Sequence, residues 1–182
     1  MPSGPSRQKR QKDTLTAHRA WLARAAAFAE ADPAKGGSPH PCVKVGAILL
    51  DSQGKLIAKA SNRFSQGLDR RRAERYENGE RSLWINCAEQ MALAEALRKR
   101  ARVQGGTLYV TLEPCATCAG LIVEVGIRCV VVPLRARRHY AKLKAKWKHS
   151  IDIGLTKLTE AGVRVIAVDT EATPALADAP KA

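Results

Sequence analysis

Cys87-Ala88-Glu89 and Pro114-Cys115-Ala116-Thr117-Cys118 constrain this chain more than any other feature, because their thiols can share one metal ion only if two distant segments meet. A Zn²⁺ ion held by three protein ligands keeps its fourth tetrahedral position open for water, as a catalytic site requires and a structural site does not. Pro114 reads as the start of one helix, and Asn86 reads as the cap of another that runs to about residue 103. Helix N-termini carry partial positive charge, which favours metal-binding thiolates. Residues two apart do not share a face within a helix, so Cys87 and Glu89 can serve one site only at a helix start. The fold must therefore bring two helix starts to one point.

The elements on either side alternate. An alanine-rich helix is expected over residues 15–31, with Trp21, Leu22, Ala25, Phe28 and Ala29 on one broad face. Strands are expected at 43–50 and 56–61, joined by a hairpin turn at 51–55. A polar loop follows at 63–82. A strand at 107–112, a helix at 114–126, a strand at 129–132, a helix at 142–161 and a strand at 163–168 complete the order. Strands joined through helices run parallel. The expected fold is α/β, a three-layer α/β/α sandwich on a mixed five-stranded sheet whose last strands are parallel. Residues 14–169 form the expected domain, between a disordered basic arm at 1–13 and a disordered Ala- and Pro-rich tail at 170–182.

Composition bounds the setting. The chain has 182 residues, of which 45% are hydrophobic, enough for one globular core. No stretch approaches the roughly 18 apolar residues of a membrane span. The N-terminus is basic and polar without an apolar h-region, so a secretory signal is not expected. Five cysteines, three of them in the metal motif, fit a reducing cytoplasmic setting better than a disulfide framework. The net charge of +14 would concentrate phosphate-bearing ligands, whether nucleotides or nucleic acid, but a solvated basic surface is an equal reading.

The motif suggests a mechanism. Zinc acidifies water in its open position, and Glu89 would take that proton and deliver it to the leaving group, as a shuttle and not as a ligand. Three thiolates put about −3 around the zinc, which weakens it as a Lewis acid. Arg128 is a candidate to offset that charge. The alternative is a structural site, closed by Cys42 as a fourth thiol, which would leave Glu89 and Pro114 without a role.

The match extends beyond the metal motif. Arg75-Tyr76-Glu77, residues 83–89, Leu108 through Gly120, residues 126–132 and the pattern Trp147…Ser150…Gly154…Val163 together resemble the deoxycytidylate deaminase family, within the cytidine and deoxycytidylate deaminase superfamily. The resemblance spans about residues 15–168. It implies the cytidine deaminase-like fold, Cys87, Cys115 and Cys118 as zinc ligands, Glu89 as proton shuttle, and Asn62 and Ala88 as substrate contacts. It also implies a homo-oligomer. Two departures stand out: Cys87 lies where the subfamily usually has His, and Ala60-Ser-Asn-Arg63 replaces the usual Gly-Tyr-Asn-Gly.

Weaker signals each have a plain reading beside the functional one. The basic run at 135–148 could hold phosphate or track a nucleic-acid backbone, or simply be solvated. Tyr140 and Trp147 could stack a base, although Trp147 fits core packing better. His40 could line the pocket mouth or be an exposed loop residue. Cys42 and Cys129 read as small core residues, and Arg70, Arg71, Arg72 and Arg75 as a solvated loop run. The expected function is zinc-dependent hydrolytic deamination of a cytosine nucleotide, dCMP to dUMP and ammonia. Deamination of another amino-substituted base, free or in single-stranded nucleic acid, stays open, as does a non-catalytic, zinc-stabilised nucleic-acid-binding module.

Overall fold

A computed structural model describes residues 7–77, 80–134 and 143–170. Its elements are α1 (Arg7–Glu30), β1 (Gly46–Leu50), β2 (Leu56–Ser61), β3 (Arg63–Phe64), α2 (Arg81–Trp84), β4 (Ile85–Asn86), α3 (Ala88–Arg98), β5 (Thr107–Val110), α4 (Ala116–Glu124), β6 (Cys129–Pro133), α5 (Ala145–Glu160) and β7 (Arg164–Val168). The main sheet has the order β2-β1-β5-β6-β7. β1 pairs antiparallel with β2 and β5, whereas β5, β6 and β7 are parallel, as expected of strands joined through helices.

Alternation along the strands divides the core in two. Ile48, Leu50, Tyr109, Cys129 and Val131 pack with Leu22 and Ala25 of α1. Ala47, Leu49, Leu108, Val110 and Val130 pack on the other face with Ala92 of α3, Ile122 of α4 and Leu158 of α5. This is the expected three-layer sandwich. Leu108 is fully buried, and cutting it to Ala would cost about 2–5 kcal/mol. Gly46 lets α1 lie close against β1, because a Cβ there would run into the Ala25 carbonyl oxygen. Among the described residues no helix is long and apolar enough to cross a membrane.

Several boundaries differ from the sequence reading. α1 begins at Arg7, inside the expected arm, because Gln, Lys and Arg are good helix formers and neither Pro nor Gly interrupts residues 7–30. Residues 1–6, 135–142 and 171–182, with Tyr140 and most of the basic run and tail, lie outside the described residues. α3 ends at Arg98, followed by Arg100 at φ +54, where the left-handed backbone breaks the helix. The polar loop at 63–82 is more ordered than expected. It holds a two-stranded ribbon of β3 and β4, a 3-10 turn at Ala73–Tyr76 and α2. Phe64 is buried under Tyr76, with ring centroids 5.5 Å apart, and Arg75 stacks on Trp84 at 4.3 Å. These contacts cross the loop and leave no periodic trace in the sequence.

Candidate active site

The thiols converge where the loop after β5 meets α3. Cys87 is the N-cap of α3 and Cys115 the N-cap of α4, with Cys118 in the first turn behind it. Asn86 does not cap α3; it pairs within the ribbon, and Cys87 takes the cap position. The Cys87 N–H donates to Gln90 Oε1 at 3.0 Å, and the Cys87 side chain faces the amide of the same residue in a reciprocal capping arrangement. Pro114 precedes the cap instead of opening the helix.

The three Sγ atoms lie within 4.8 Å of one another. Tetrahedral zinc with Zn–S bonds of about 2.3 Å places its sulfurs about 3.8 Å apart, so the cluster fits the ion. Cys42, exposed and outside this cluster, does not close it. It is not the core residue expected, because β1 starts only at Gly46 and Cys42 stays in the preceding loop. Cys129 is buried in β6 as expected.

The thiols do not behave alike. Hydrogen bonds from Cys118 and Cys87, with support from the backbone N–H groups of Cys118 and Thr117, hold Cys115 far below the ordinary thiol range. Donating to that thiolate pushes Cys87 and Cys118 up. Helix N-termini alone therefore do not ionise all three; one thiolate opposes the next until a cation balances them.

Glu89 sits in the first turn of α3, 4% exposed. Burial pushes its carboxyl up to about 8; a hydrogen bond from its own backbone pulls it down and the Cys115 thiolate adds a smaller upward push. A bound dication would draw it back toward neutrality. A carboxyl in that range can both take and give a proton.

Both carboxyl and thiols open into a cavity of about 410 Å³. Its inner wall includes Ala88, Asn62, Glu89, Glu113, Cys87 and Cys115, and its outer part includes His40, Tyr76, Lys144, Lys146 and Trp147. Ala88 is fully buried at the first position of α3, where a backbone N–H has no acceptor within the helix. Asn62 is 8% exposed, and its amide binds the lead-in to β1, accepting from Val45 N–H at 2.8 Å and donating to Val43 O at 3.0 Å. One Nδ2 hydrogen remains beyond that bond. His40 Nδ1 accepts the N–H groups of Cys42 at 3.1 Å and Val43 at 2.8 Å, so the imidazole shapes the rim. Trp147 is half-buried on the cavity wall, where core packing was expected. Arg128 stands at the opposite end of the sheet, where β6 begins, and cannot offset the thiolates.

Three contributors escaped the sequence reading of the site. Glu113 is buried at 5% exposure on the cavity wall; a carboxylate ending an apolar strand was the available signal. Ser150 Oγ accepts the N–H of Ala116, and Lys157 Nζ donates to Ala116 O at 3.2 Å. Gly154 lets α5 rest on the motif, because a Cβ there would run into Pro114 O and come 3.0 Å from the Cys115 carbonyl carbon. Ser150, Gly154 and Lys157 recur at helical spacing on one face of α5.

A family model of the cytidine and deoxycytidylate deaminase zinc-binding region matches residues 18–134. The chain belongs to that family. The match encloses β1 through β6 and therefore the whole thiol cluster. A tRNA-specific adenosine deaminase of Bacillus subtilis is 37% identical over 91 residues, covering 49% of this chain and 47% of that protein. A probable deoxycytidylate deaminase of Drosophila melanogaster is 29% identical over 104 residues, covering 52% and 50%. The chain thus spans about half the length of these curated relatives. The dCMP deaminase of cyanophage S-TIM5, solved with dCMP and dUMP, shares the fold at a TM-score of 0.62 and 21% identity, covering 91% of this chain and 100% of that one.

Proposed function

We propose that this chain is a zinc-dependent hydrolytic deaminase of a cytosine nucleotide, converting dCMP to dUMP and ammonia. The observation that carries the reading is the Glu89 carboxyl, buried yet opening into the same cavity as Cys87 and Cys115. Zinc, when held by Cys87, Cys115 and Cys118, supplies a Lewis acid that makes water nucleophilic near neutral pH. Glu89 takes the proton of the attacking water and passes it to the ring nitrogen. As the C4–N bond breaks, Glu89 delivers a second proton to the departing amine, so water and the amine leave as a carbonyl and ammonia. Asn62 and Ala88 line the base end of the cavity, Asn62 with its remaining Nδ2 hydrogen and Ala88 with the first amide of α3.

A cavity of about 410 Å³ is of the size that holds one small ligand. The fruit-fly relative and a mouse deoxycytidylate deaminase, 30% identical over 99 residues, support cytosine as the base. A second reading, deamination of adenine in RNA, is favoured by the 37% identity to the Bacillus subtilis enzyme. Ammonia release from dCMP, CMP, deoxycytidine, dCTP, a cytosine-bearing single-stranded oligonucleotide and an adenine-bearing RNA stem-loop separates them. Turnover of dCMP is the expected result; turnover of the RNA alone would replace the first reading with the second.

A further inference from the structure

We infer that Arg63 is a substrate-binding residue that receives a phosphate group at the rim of this cavity, an inference that rests on the deaminase reading for the ligand it names. β3 and β4 pair so that Arg63 lies directly opposite Asn86, and directly opposed residues project to the same face of an antiparallel pair. Asn86 lines the cavity, as does Asn62, the chain neighbour of Arg63. Asn86 Nδ2 donates to Ser65 Oγ at 2.9 Å, which brings a hydroxyl to the same face.

Arg63 is half-buried, and its Nε is a fully buried donor with no acceptor. Among the described residues it forms no ion pair, whereas Arg71 and Arg72 in the following loop each have a carboxylate. A buried N–H of a permanent cation is costly without an acceptor, and a guanidinium fork matches phosphate oxygens in geometry and charge.

The remaining charges decide which end of a ligand lies here. Glu89, Glu113 and the thiols make the cavity floor negative, so an anionic group is excluded from it. Lys144 and Lys146 make the outer part positive, which draws phosphate to the mouth. A phosphorylated nucleoside therefore enters base first, with its phosphate left beside Arg63. The same chemistry would accept either the monoester of a free nucleotide or a diester of a polynucleotide.

The test compares zinc-loaded wild type with Arg63→Gln and Arg63→Lys. Binding of inorganic phosphate, followed by calorimetry, is expected to weaken about tenfold or more in Arg63→Gln and to recover in part in Arg63→Lys. KM for dCMP rises by a similar factor, with kcat and the kcat/KM for deoxycytidine unchanged. If the loss appears instead with a single-stranded oligonucleotide and not with dCMP, the phosphate is a diester. Equal phosphate binding by wild type and Arg63→Gln, or equal losses on dCMP and deoxycytidine, overturns the inference. If no nucleotide or oligonucleotide is turned over, the deaminase reading fails, and the phosphate titration alone then judges Arg63.

Discussion

Ser150 Oγ accepts the backbone N–H of Ala116 at 3.2 Å, so α5 satisfies an exposed amide at the start of the helix that carries Cys115 and Cys118. With Lys157 on the Ala116 carbonyl and Gly154 against Pro114, one face of α5 holds the metal motif from behind. Metal ligands depend on such supporting contacts for their orientation.

Gly154→Ala is therefore expected to push α5 away from Pro114 and Cys115. Zinc affinity, measured by competition with a chromophoric chelator, should fall by about 10–100-fold. Overpacking should also cost about 1–3 kcal/mol in urea unfolding. Ser150→Ala should cost about 1 kcal/mol, through the lost hydrogen bond alone. Unchanged zinc affinity in Gly154→Ala would show that α5 plays no part in placing the thiols.

Glu89→Gln keeps shape and removes the proton carrier. Zinc content, read by elemental analysis, should remain one ion per chain, while ammonia release falls by about 100–10,000-fold. A variant that still turns over at the wild-type rate would remove Glu89 from the mechanism.

Withdrawing the metal should expose the asymmetry of the thiols. After chelation, Cys115 is the thiolate and the half-buried one, whereas Cys118 is buried. Alkylation near neutral pH should label Cys115 first, with mass spectrometry of the digest as readout, and added zinc should protect it. Preferential labelling of Cys118 would contradict the hydrogen-bond pattern of the cluster.

The seat of α1 should be acid-sensitive. His18 Nδ1 and Tyr109 Oη lie 2.9 Å apart, and burial, with the Arg164 cation second, holds His18 below its ordinary value of 6.5. Below 6.5 the unfolded chain takes a proton that the folded chain resists, so this contribution is present above 6.5 and lost as the pH falls through the folded value. Wild type should lose more stability than His18→Gln between about pH 7.5 and about pH 5 in urea titrations. Parallel losses would assign the acid sensitivity to other groups.

Most of the scaffold was legible because its elements bury one face and repeat with period. Trp21, Leu22 and Ala25 marked α1, and the apolar runs of β1, β5 and β6 marked the sheet. The turn at residues 51–55 was readable because Asp51 Oδ1 accepts the N–H groups of Gln53 and Lys55, a local device that sequence encodes directly. The ribbon of β3 and β4 was not readable, because each strand has two residues and is held by contacts across the loop. Trp147 was misplaced because helical spacing gives a face but does not say whether a sheet or a cavity lies opposite.

By itself the sequence determined the donor set, three thiols and one carboxylate, since residue type and spacing limit what a metal can use. It also determined the order of strands and helices, which follows from local periodicity. Only the tertiary structure decided that Cys115 ionises first, that Glu89 is buried beside it, that α5 holds the motif through Ser150 and Gly154, and that Arg63 is left without an acceptor at the cavity rim. Those properties arise from burial and from partners distant in the chain, and neither is written in any local stretch of residues.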